Sequence, residues 1–166
     1  SPCRRLSQFI TTVRTWALNA ATASSPVIVG SILIGADEMV AAMVAARIPN
    51  VSFDRYTALG VVRHGKLVGG VVYHNYIGHD VQVSIAIDGS LFMPWRALFS
   101  YPFEQMGCRR ITAMIGRKNK KSRKICEALG FKLEGVHPKG RDGHETAMSY
   151  GLLKEDCRWI KDRKHG

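Results

Sequence analysis

Gly107 to Gly135 reads GCRRITAMIGRKNKKSRKICEALGFKLEG, and its reading decides the fold. The run Ile111 to Ile115 is β-branched and apolar but too short for a separate helix, which predicts a buried strand. Asn119 is a favoured helix N-cap and Gly130 a favoured left-handed terminator, so a helix is predicted between them. Ile125, Ala128 and Leu129 make an apolar stripe on that helix, and Lys120, Lys121, Arg123 and Lys124 lie mostly off it. A Gly-Phe stop leads into a second strand. One face of this unit packs and the other is strongly cationic.

Working outward, Trp95 to Met106 places Leu98, Phe99 and Phe103 on one helical face, with Pro102 as an internal irregularity. Val81 to Asp88 alternates apolar and polar residues and predicts a strand. Upstream, strands at Ala58 to Arg63 and Leu67 to Asn75 flank His64-Gly65-Lys66, a hairpin turn containing Gly. Asp37 to Arg47 is an Ala-rich amphipathic pattern stopped by Pro49, and Val27 to Ile34 reads as one buried strand. The predicted architecture is a single α/β domain over residues 26–160, with a mixed, mostly antiparallel central sheet flanked by helices. Residues 1–25, with Arg4, Arg5, Arg14 and Trp16, form an arm, and 161–166 a tail.

A chain of 166 residues can bury a normal core, and no apolar run is long enough to cross a bilayer, so no membrane partner is expected. Cys3, Cys108, Cys126 and Cys157 include no C-x-x-C pair, which argues against a zinc ribbon or disulfide scaffold and suits a reducing cytoplasm. Charge is more informative. The 24 Lys and Arg against 13 Asp and Glu give a net +11. Eight of those cations and no acid lie between Arg109 and Lys124. Such a patch attracts polyanions by Coulomb steering and counterion release, making DNA or RNA the leading candidate, with double-stranded DNA the expected partner. The plainer alternative is a solvated basic helix. Arg109, Arg117, Lys118, Lys120, Lys121 and Lys124 are the expected phosphate contacts.

Asn119, Ser122, Leu129, Gly130, Phe131, Glu134 and Gly135, spaced as N-x-x-S-x-x-x-x-x-x-L-G-F-x-x-E-G, resemble the C-terminal half of the GCN5-related N-acetyltransferase (GNAT) superfamily. The resemblance implies a GNAT fold and an acetyl-CoA or other acyl-CoA cofactor. It would be contacted by Ser84, Ile85, Asn119 and Ser122. It also implies a Q/R-x-x-G-x-G/A loop, whose backbone N–H groups hold the pyrophosphate. The matching segment here, Ile87 to Arg96, is IDGSLFMPWR, with one Gly, an Asp and bulky Leu91, Phe92 and Met93. A Tyr that many members carry seven residues after the Asn is replaced by Cys126.

Tyr150 to Trp159, with Trp95-Arg96 and Tyr101-Pro102-Phe103, looks like GNAT-like proteins encoded by phages, in particular the Mom family of DNA-modification proteins. That resemblance implies carbamoylmethylation of the N6 amine of adenine in DNA, protection from restriction, and a place in the host cytoplasm. Reaching that amine in a duplex calls for base flipping. The expected catalytic group is Asp88, Arg96, Asn119, Ser122, Asp142 and Tyr150, with the two carboxylates deprotonating or orienting the amine. His74, His79 and Asp80 are of the ligand types of a non-haem iron site, though strand alternation sets the two imidazoles on opposite faces. Two other functions remain open: an acetyl-CoA-dependent N-acetyltransferase for a protein, peptide or small amine, and a non-enzymatic nucleic-acid or host-protein binder. A homodimer is compatible with all three.

Overall fold

The computed structural model describes residues 25–89 and 92–162. The predicted arm before Ser25, Ser90 and Leu91 of the loop, and residues 163–166 of the tail lie outside the described residues. Eight strands form one sheet in the order β1-β2-β3-β4-β5-β6-β8-β7. They are β1 Val27–Val29, β2 Ile32–Ile34, β3 Tyr56–Arg63, β4 Lys66–His74, β5 Asp80–Ile87, β6 Arg110–Gly116, β7 Lys132–Arg141 and β8 Glu145–Leu153. All neighbours are antiparallel save β5 and β6, which run parallel. The helices are α1 Asp37–Arg47, α2 Trp95–Ser100 and α3 Lys120–Leu129.

Two predicted elements differ. Val27 to Ile34 is not one strand, because Gly30, at φ 63°, reverses the chain and pairs Val27 with Ile34. The predicted helix Trp95 to Met106 is α-helical only to Ser100 and widens into a π turn at Tyr101–Gln105. Pro102 explains the change, since it has no N–H to give to the carbonyl of Leu98. That carbonyl accepts a hydrogen bond from the buried Tyr73 hydroxyl instead, at 2.6 Å.

The sheet is covered on both faces. On one, Val40, Ala41 and Val44 of α1 pack on Leu33, Ala58, Val72 and Ala86. Gly70 permits this close approach, as a Cβ there would stand 2.6 Å from Val40 Cγ1. On the other face Leu98, Phe99, Phe103, Leu129 and Phe131 cover Leu59, Val81, Val83, Ile111 and Tyr150. The ends of α3 follow from its sequence: Asn119 Oδ1 accepts the Ser122 N–H at 3.2 Å, and Gly130, at φ 104°, turns the chain so that the Phe131 N–H reaches the Cys126 carbonyl.

Candidate active site

Parallel pairing between β5 and β6 lasts only three residues, Asp80↔Arg110, Val81↔Ile111 and Gln82↔Thr112. Beyond it β5 stays on β4 as far as Ile87↔Gly69, and β6 stays on β8 as far as Gly116↔Ala147. The two strands therefore separate, leaving Val83–Ile87 with an edge that no strand among the described residues pairs. A narrow cleft opens there. Val83, Ser84 and Ile85 form one wall, Ala113, Met114 and Ile115 the other, and Asn119, Ser122, Ile125 and Cys126 of α3 the floor. Ile48, Val51 and Arg141 border it from the α1–β3 loop and the end of β7. Arg141 also donates to the Pro49 carbonyl, tying the β7–β8 hairpin to that loop.

The expected site residues separate into those at the cleft and those elsewhere. Ser84, Ile85, Asn119 and Ser122 line it together. Asp88 ends the same strand, but both its oxygens accept from Arg47, at 2.7 Å from Nε and 2.5 Å from Nη2. That bond holds the Asp88 carboxyl below its ordinary range, and Lys121 adds to the effect. So paired, it is poorly suited to take a proton from an amine. Arg96 turns toward the C-terminus, bonding Asp162 and the Lys161 carbonyl, and does not line the cleft. Asp142 is exposed on the β7–β8 turn at φ 55°. Tyr150 is fully buried in the core, where its hydroxyl accepts from Arg123 Nε at 3.0 Å and donates to Glu127 at 3.3 Å. It is structural in placement and offers no ring to a flipped base.

Burial pushes the Cys126 thiol up to about 12, so the residue standing in place of the usual Tyr is a poor proton donor. The weak metal candidates do not converge: His74 bonds Ser84, Asp80 accepts from Thr112 and faces Arg110, and His79 is exposed. Among the described residues no group of three or more His, Cys, Asp and Glu is placed to hold a metal ion.

The cationic run is divided as well. Arg110 pairs with Asp80 and Glu134, and Arg123 is bonded to Tyr150 and the Arg117 carbonyl. Arg109 sits at the start of β6, whereas Arg117, Lys118, Lys120 and Lys121 follow its end, a strand length of about 20 Å away. Lys124 lies farther along α3. The exposed cations at the start of α3 thus stand beside the cleft mouth, and Arg109 is not part of that group.

Sequence reading missed Arg47, Ile48, Val51 and Arg141. Nothing local marks them, because Ile48, Val51 and Arg141 come to the cleft from elements distant in sequence from β5 and β6, and Arg47 reaches Asp88 from 41 residues away. It also missed the contact between His74 Nε2 and Ser84 Oγ, 3.1 Å apart, for which alternation along adjacent strands was an available clue.

No family model matches the sequence. The chain is 30% identical over 111 residues to a Bacillus subtilis (strain 168) protein provisionally assigned as a ribosomal N-acetyltransferase, YdaF, covering 58% of this chain. It spans only 59% of that relative's length. A crystal structure described as a probable acetyltransferase is 26% identical, with a TM-score of 0.52 over 61% of this chain and 63% of the other. The fold is shared with mutant forms of the spermidine/spermine N-acetyltransferase SpeG of Vibrio cholerae, at 20% identity and TM-score 0.52 over 61% and 69% of the two chains. It is shared too with RimL, a ribosomal L7/L12 α-N-protein acetyltransferase in complex with coenzyme A, at 15% and 0.52 over 59% and 62%. The chain has the α/β fold of these acetyltransferases, and its relative and structural neighbours support a place in the GNAT acetyltransferase superfamily.

Proposed function

We propose that this chain is an acyl-CoA-dependent N-acyltransferase whose acceptor is an amine of a protein, a peptide or a small molecule. The observation that carries the reading is the unpaired edge of β5 at Val83–Ile87, facing the start of α3 across the cleft. An extended ligand arm with amide groups can add to such an edge as a strand does. Asn119 and Ser122 stand opposite with polar side chains, and Lys118, Lys120 and Lys121 supply positive charge for phosphates at the mouth. These residues fit an acyl-CoA; the glycine-poor loop before α2 contributes less, because Pro94 has no N–H and that of Trp95 is bonded to Met93. When bound, the thioester would supply an activated acyl carbon. The 30%-identical relative and the acetyltransferase neighbours support the same reaction class. Calorimetry with acetyl-CoA tests it, together with thiol release in the presence of spermidine or a short peptide; no heat and no thiol would remove it.

A second reading rests on the exposed cations of α3, Lys120, Lys121 and Lys124 with Arg117 and Lys118 before it. They favour a polyanion, and with it the Mom-like modification of adenine in DNA. Mass spectrometry of nucleosides from expressing cells decides this: a shifted adenosine supports it and unaltered nucleosides reject it.

A further inference from the structure

Ser84 is the second β5 residue past the paired part of the seam, and it lines the cleft. His74 ends the neighbouring strand β4. The register Val72↔Ser84 and His74↔Gln82 puts the two side chains on one face as diagonal neighbours, and His74 Nε2 lies 3.1 Å from Ser84 Oγ. The Phe53 ring lies 5.0 Å from the imidazole and 5.9 Å from Tyr56, centroid to centroid. A second, open cavity also touches His74 and is lined by Asp54, Tyr56, Tyr73, Asn75, Tyr76 and Met106 among others. Through Ser84 the imidazole therefore connects the cleft to a second, largely apolar cavity.

We propose that Ser84 and His74 form a proton relay for acyl transfer, with the acceptor amine entering from the cavity beside His74. This rests on the acyltransferase reading above. With the imidazole proton on Nδ1, Nε2 is free to accept from the Ser84 hydroxyl. As the amine nitrogen bonds to the thioester carbon, its proton passes to Ser84 Oγ and the Ser84 proton passes to Nε2. The carbon–sulfur bond then breaks, the relay runs in reverse, and the proton ends on the departing sulfur. Atoms and charge balance without another reactant. Burial lowers the His74 imidazole to about 4, so at neutral pH it is uncharged with a lone pair to accept with, and it holds a relayed proton only briefly. Return of the proton is favoured for the same reason. Cys126 in the cleft floor holds its own proton too tightly to substitute.

The test compares wild type with His74→Gln, Ser84→Ala and the double variant. Thiol release is measured with acetyl-CoA and, in turn, spermidine and a serine-ended tripeptide, and acetyl-CoA affinity by calorimetry. The relay predicts a fall in kcat of about 10²- to 10⁴-fold in each single variant, little more in the double, and acetyl-CoA affinity within about threefold of wild type. In the free protein, Ser84→Ala should also move the His74 Nε2 resonance in ¹⁵N NMR. A kcat within threefold of wild type in Ser84→Ala, which keeps the strand intact, overturns the proposal, as does an unmoved resonance. Equal losses of affinity and kcat would make the pair merely structural. If the wild type binds acetyl-CoA but the variants lose nothing, the relay alone fails; if the wild type neither binds acetyl-CoA nor releases thiol, the acyltransferase reading falls and the relay with it.

Discussion

The two ends of the β5–β6 seam are built from the same pair of strands and behave in opposite ways. At the closed end Thr112 donates to the Asp80 carboxylate at 3.0 Å, Arg110 Nε lies 3.6 Å from Asp80, and Arg110 reaches on to Glu134. Opposite charges and a hydroxyl there hold three strands together. At the open end none of the described residues makes such a bridge between the two strands; the lining is Ser84, Asn119, Ser122, Cys126 and Arg141 among apolar side chains such as Ile85, Met114 and Ile115, and α3 lies across it. The difference teaches that the cleft is made by where pairing stops. Its chemistry is set by the few polar groups past that point.

The largest expected effect comes from filling the open end. Ser122→Trp should weaken acetyl-CoA binding by at least ~100-fold, or ~2.7 kcal/mol, as read by calorimetry, while the far-UV spectrum stays the same. An unchanged affinity would move the acyl site away from the seam. Next, Asp80→Ala at the closed end should cost about 1–3 kcal/mol in urea unfolding, since it strips a half-buried Arg110 of one partner and Thr112 of its acceptor. A neutral result would mean that the apolar contacts of Val81 and Ile111 close the seam unaided. Smaller still, Asn119→Ala removes the cap of α3 and should cost about 1 kcal/mol by the same measurement.

The smallest effect lies away from the seam and serves as its control. Burial raises the Asp37 carboxyl to about 6 from 3.8, and its Oδ1 has no partner although Oδ2 accepts the Ala58 N–H. A raised carboxyl favours the fold when protonated. Its contribution is complete below pH 3.8 and is lost as the pH climbs through 6. Asp37→Asn should therefore raise the melting temperature slightly at pH 7.5 and give no advantage below pH 4; a gain independent of pH would contradict this.

Much of the fold could be read from local chemistry. Asn119 and Gly130 bounded α3 because capping is a one-residue property, and Asp37–Arg47 was legible from its Ala-rich stripe. The turn at Gly30 was hidden inside an apolar run, since nothing polar marks it. Pro102 announced an irregularity, but only the Leu98 carbonyl and Tyr73 hydroxyl show what becomes of it. The core position of Tyr150 is legible in β8, where Met148, Tyr150 and Leu152 alternate with small residues, the pattern of an inward face. Of the cleft lining, Ser84, Ile85, Asn119 and Ser122 were legible through resemblance. Arg47 on Asp88, 41 residues apart, was not, and neither was the residue at which β5 and β6 part, because that depends on packing over the whole sheet.

Titration of the full chain with acetyl-CoA, in parallel with Ser122→Trp, tests the central claim most directly. The open seam predicts saturable heat at one site per chain in the wild type and its loss in the variant. Heat absent from the wild type at millimolar ligand, or undiminished in the variant, would contradict it.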